Sequence, residues 1–138
     1  MDLKQFAIDV HENAVRHGWY AEPRTFGDEL ALIHSEVSEV LEEFRNGHEF
    51  TETYYTCKAP GHDCTTVKNC GRNEEIRTCN NGCSEKYGKP EGIPAELADI
   101  IIRVLDVSEA HGIDIEAALI EKHEFNKTRP YKHGNKVI

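Results

Sequence analysis

Two pairs of acids are the residues of this chain best suited to chemistry. Glu36 and Glu39 stand three apart in "SEVSEVLEEFR", and Glu96 and Asp99 stand three apart in "IPAELADIIIRVLDV". With about 100° of turn per helical residue, an i,i+3 pair falls about 60° apart and shares one side of its helix. Four carboxylates gathered at one point would repel one another, and burying them without partners would be costly. A hard divalent cation removes both objections, and oxygen-only ligands favour Mg²⁺ or Mn²⁺ over zinc. Either pair alone is more often the pattern of a solvated helix face, with Glu43 continuing the first line, and only the two pairs together bring the readings level. The metal reading therefore requires both helices to enter one bundle.

Four helices are expected to do the positioning. The first spans about Leu3 to Arg16, where Leu3, Phe6, Ala7, Val10 and Ala14 repeat at helical spacing and His17-Gly18 supplies the stop. The second opens with Thr25 and Asp28 in capping-box spacing and closes at Asn46-Gly47. Its apolar stripe is Leu30, Ile33, Val37, Val40, Leu41 and Phe44. Pro94 suits the first turn of the third helix, which should end near His111-Gly112. Leu97, Ile100, Ile101, Ile102, Val104 and Leu105 cover most of its circumference and leave a polar strip of Glu96, Asp99, Arg103 and Asp106. The fourth helix takes Asp114 as N-cap and runs until Pro130 forbids continuation. No strand pattern competes, so the regular part of the chain is expected to be all-α.

At 138 residues the chain is expected to form one domain, 1–138. A net charge of −9 argues against a nucleic-acid backbone as partner, although acids that recruit a divalent cation can hold phosphate oxygens through it. No run approaches the roughly 20 apolar residues needed to cross a membrane, and "MDLKQFAIDVHENAV" lacks the pattern of a secretory signal. The expected address is cytoplasmic, without membrane or nucleic-acid partners.

Residues 57–92 form an inserted, cysteine-rich loop segment between the second and third helices. Cys57, Cys64, Cys70, Cys79 and Cys83 make an odd number in a compartment expected to be reducing, so disulfides are a poor first reading. A structural zinc would supply folding energy that so polar a segment lacks, with Cys57, Cys64, Cys79 and Cys83 as one ligand set and Cys70 or His62 as substitutes. There is no C-x-x-C pair, and a loop with free thiols is the equal alternative.

Glu36 and Glu39, Glu96 and Asp99, then Lys122, Asn126 and "RPYKHG" follow one another in an order that resembles the MazG-like family of all-α nucleoside triphosphate pyrophosphohydrolases. The likeness covers the second to fourth helices and the tail. Members often carry a further acid directly before the first motif, where this chain has Ser35. The resemblance implies a four-helix bundle completed by oligomerisation, as a homodimer or homotetramer. It implies Mg²⁺-dependent hydrolysis of a (d)NTP to (d)NMP and pyrophosphate, a house-cleaning activity on the nucleotide pool.

By the same resemblance Glu36, Glu39, Glu96 and Asp99 are the metal ligands, any of the four not directly ligating could accept the water's proton, and Glu39 is favoured as ligand and Glu36 as ligand or base. Lys122, Asn126, Arg129 and Tyr131, with Lys132 beside it, would meet the substrate, and Trp19 would meet its base. For these residues the plainer readings are a basic C-terminal tail and a packing anchor. Two other functions fit the same residues. One is a zinc-stabilised helical adaptor without activity, and the other is a phosphoribosyl-ATP pyrophosphatase-like hydrolase.

Overall fold

The helices begin where capping chemistry sets them. In a computed structural model, which describes residues 1–56, 65–69, 75–77 and 89–131, Asp2 accepts a hydrogen bond from the Gln5 amide and starts α1, Leu3–Arg16. Thr25 and Asp28 close the full capping box at the head of α2, Phe26–Arg45. The Thr25 hydroxyl and amide both donate to Asp28, and these bonds hold its carboxyl below the usual range. α3 is Ile93–Ala110, and α4, Ile115–Lys127, has Asp114 as its N-cap. The chain is mostly helical, and its four expected helices are all present.

The all-α expectation needs one correction. A four-stranded antiparallel sheet stands between α2 and α3 in sequence, with β1 Glu52–Thr56, β2 Thr65–Asn69, β3 Glu75–Arg77 and β4 Pro90–Glu91 in the order β3-β2-β1-β4. Tyr54 lies opposite Val67 on one side and Glu91 on the other. Part of the segment expected to be a loop is therefore extended. Its strands are short and largely polar, so they lack the apolar alternation that marks a half-buried strand in sequence. Their stability comes from pairing between distant residues, which periodicity does not report. Threonine and tyrosine in "ETYYT" suit such a strand.

Gly92 joins β4 to α3. Its φ of +102° lies in the region open mainly to glycine, and a Cβ there would sit 2.6 Å from the carbonyl oxygen of Glu52. The Gly92 carbonyl accepts from the amides of Ala95 and Glu96, so this glycine also secures the first turn of α3.

The chain divides into two compact units, Met1–Pro23 with Val104–Ile138, and Arg24–Arg103. The first unit buries Ala7 of α1 with Leu105 and Val107 of α3. His11 of α1 pairs with Asp106 at 2.8 Å and sets its ring edge-on against Tyr20. In the second unit Ile93 is the buried apolar side chain among the described residues.

In that second unit the buried residues of α2 are acids. Glu29 and Glu36 are buried and Glu43 nearly so, whereas Leu30, Val37, Leu41 and Phe44 are exposed. The helix turns its acidic line inward and leaves most of its apolar stripe exposed, with Ile33 and Val40 half-buried. α3 likewise exposes Leu97, Ile101 and Ile102. Among the described residues no helix is long and apolar enough to cross a membrane.

Candidate metal centre

α2 and the first turns of α3 bring their acids together. One carboxylate oxygen each from Glu36, Glu39 and Glu96 lies within 4.8 Å of the others. Glu36 and Glu96 are buried and Glu39 is exposed, so the cluster opens to solvent on the Glu39 side. Glu96 is only 2% exposed, and its Oε2 has no hydrogen-bond partner among the described residues. A buried, unsatisfied carboxylate oxygen carries a cost unless something positive meets it.

Burial pushes the Glu96 carboxyl up to about 7. Lys89 opposes the rise, while Glu39, Asp99 and Glu36 add to it. Asp99 stands outside the three-acid cluster, with its side chain about a third exposed. Lys89 links it to the others, because the ammonium lies 3.8 Å from Glu96 Oε1 and 3.9 Å from Asp99 Oδ2. Burial alone would lower Lys89, and the carboxylates of Glu96, Asp99, Glu91 and Glu39 outweigh it and hold the ammonium above its ordinary range.

Arg103 supplies a second cation. Its Nε donates to Glu36 Oε1 at 3.0 Å, and both side chains are mostly buried. Three convergent carboxylate oxygens, with a buried and unpaired oxygen on Glu96, fit a hard cation. The residues present suit magnesium.

A further group of polar residues ties α2 to the sheet. The Tyr54 hydroxyl donates to Glu43 Oε1 at 3.1 Å, and the His48 ring stacks on Tyr54 while its Nδ1 lies 3.1 Å from Glu52. His48 Nε2 stands 3.6 Å from Glu43 Oε2, too far to count as a hydrogen bond, so that oxygen stays unsatisfied among the described residues. Burial and the bond to Glu43 push the Tyr54 hydroxyl up to about 12, so it remains a donor.

Arg103 was visible in the sequence only as part of the polar strip of α3, seven residues from Glu96 and nearly on the same line of the helix, with nothing to point to Glu36. Lys89 carried no signal, because its position follows from the pairing of β1 with β4.

The remaining expected residues fall elsewhere. Lys122, Asn126, Arg129, Tyr131 and Trp19 belong to the first unit. There Lys122 and Arg129 both approach the Phe125 ring, at 5.6 and 5.4 Å from its centroid. Trp19 is partly exposed in the turn after α1. Cys57, Cys64, Cys70, Cys79 and Cys83, with His62 and Lys132, lie outside the described residues. Comparisons with protein families, with curated proteins and with solved structures found no match to this chain.

Proposed function

We propose that the chain is a Mg²⁺-dependent pyrophosphohydrolase of MazG-like type that cleaves a (d)NTP between the α- and β-phosphates. Water adds to the α-phosphorus, the bond to the bridging oxygen breaks, and (d)NMP and pyrophosphate leave. The observation that carries this reading is the convergence of Glu36, Glu39 and Glu96 within 4.8 Å, with a Glu96 oxygen buried and unpaired. Magnesium bound there would supply Lewis acidity to the phosphoryl group and neutralise charge between acids and substrate.

Glu36, Glu39 and Glu96 would hold the ion, and Asp99 stands outside this three-acid cluster. Arg103 fixes the rotamer of Glu36, since its Nε already engages one oxygen. That leaves solvent-facing Glu39 as our choice for the group that takes the proton from the attacking water. Lys122, Asn126, Arg129 and Tyr131 are the proposed substrate-binding groups on the strength of the sequence pattern, and Trp19 the proposed base contact. Structural zinc in the cysteine segment is also proposed, tested by metal analysis of protein purified without added zinc.

The test is a panel of NTPs and dNTPs with Mg²⁺, following monophosphate and pyrophosphate together. Wild-type protein should release both in equal amounts from at least one substrate. Glu39→Gln should lower turnover at least a hundredfold while keeping the helical circular-dichroism spectrum. An inactive wild type across the panel would return the chain to the adaptor reading.

A further inference from the structure

Two cations serve the acid cluster, and they are held in different ways. Arg103 donates a hydrogen bond of normal length to Glu36 and is 23% exposed. Lys89 touches Glu96 and Asp99 only at 3.8 and 3.9 Å, beyond hydrogen-bonding distance, and 48% of its side chain is exposed. It sits just ahead of β4, on a stretch that does not belong to either acid-bearing helix. Glu96 faces it with one oxygen and keeps the other buried and unpaired. The contact thus offsets charge without fixing geometry, as a removable counter-ion would.

We propose that Lys89 is an internal counter-cation, which neutralises Glu96 and Asp99 in the metal-free protein and is displaced when a divalent ion binds. This rests on the metal-centre reading above and adds to it. An ammonium within 4 Å of two prospective ligands must either leave or repel the incoming ion, and its half-exposed side chain gives it room to leave. The ion would take one carboxylate oxygen each from Glu36, Glu39 and Glu96, and Glu96 has a buried oxygen that Lys89 leaves unsatisfied. Lys89 also makes the end of the 57–92 segment sensitive to metal occupancy, since the lysine and the acids compete for the same charge.

The consequence can be measured without turnover. Mn²⁺ serves as the probe, with affinity followed by calorimetry or by the loss of the free-ion paramagnetic signal. Lys89→Gln removes the competitor and should bind Mn²⁺ roughly three- to thirtyfold more tightly than wild type, the range set by a weak, partly screened ion pair. Lys127→Gln, which removes an exposed pair with Glu124 far along α4, should leave the affinity unchanged. In metal-free buffer Lys89→Gln should melt below wild type, and saturating Mn²⁺ should close that gap because the tighter site gains more from the ion.

Equal Mn²⁺ affinity in wild type and Lys89→Gln would overturn the counter-cation while leaving the metal centre intact. Weaker binding in the variant would also overturn it, by showing that the lysine supports the site. A wild type that takes up no Mn²⁺ would overturn both readings.

Discussion

Arg103 and Glu36 join α3 to α2 through one hydrogen bond of 3.0 Å, with 23% and 9% of their side chains exposed. A buried pair of this kind is weak evidence of net stability, because desolvation offsets most of the attraction. Breaking it from one side is another matter. Arg103→Leu would strand the Glu36 charge beside Glu39 and Glu96, at a cost of about 3 kcal/mol. Thermal unfolding without metal should show the loss. Added Mg²⁺ should restore part of it by supplying positive charge, and the double variant Glu36→Leu/Arg103→Leu should be more stable than Arg103→Leu alone. A single variant as stable as wild type would show that the pair holds nothing.

Glu96 makes the metal-free protein sensitive to pH. Its carboxyl rises from an ordinary 4.5 to about 7 in the folded chain, so between those values the folded state binds the extra proton. Stability from this group is therefore lost as pH rises through that window and stays lost above it. The full swing is on the order of 3 kcal/mol. Glu96→Gln carries no such proton. Its melting temperature in chelator should approach or exceed that of wild type as pH goes from 5 to 8, and the difference should shrink in saturating Mg²⁺, which favours the ionised acid. A pH-independent difference would remove Glu96 as the titrating group.

How far such a site can be read beforehand depends on the range of the interactions that build it. Helix ends are local, so Thr25 with Asp28, and Asp114, announced themselves by type and spacing. The acid pairs were visible for the same reason. The sheet was not: Tyr54 faces Glu91 across a separation of 37 residues, and Lys89 reaches Glu96 only because that pairing exists. The sense of α2 was also hidden. Periodicity finds an apolar stripe, but it cannot say whether this chain or another covers it. Here Glu36 faces inward and Leu41 outward.

Gly92 connects sheet and site in a way that one methyl group can test. Gly92→Ala would force a Cβ to within 2.6 Å of the Glu52 carbonyl oxygen at a φ that side chains avoid. The two effects should cost about 2 kcal/mol or more. Because the Gly92 carbonyl receives the Glu96 amide, strain there should also misplace Glu96. The expected result is a lower melting temperature together with weaker Mn²⁺ binding. Gly47→Ala, at another positive φ with nothing within 4 Å of its Cβ, should lower stability without changing metal affinity. Equal effects on metal binding would separate Gly92 from the site.

The exposed stripe on α2 gives the last prediction. Four apolar side chains, Ala7, Ile93, Leu105 and Val107, are buried among the described residues. Meanwhile Leu30, Val37, Leu41 and Phe44 lie along one helix face, with Leu97 and Ile101 exposed on α3. A second copy is the partner we expect, because covering such side chains contributes about 1.5–3 kcal/mol each and both copies gain alike. Light scattering at micromolar concentration should give a mass of at least two chains. Leu41→Glu puts a charge where the apolar contact would form, away from the inward line of Glu29, Glu36 and Glu43. It should reduce the mass to one chain and lower the melting temperature by several degrees. A wild type that stays monomeric at high concentration would leave the stripe to a different partner and would count against the homodimer or homotetramer that the resemblance implies.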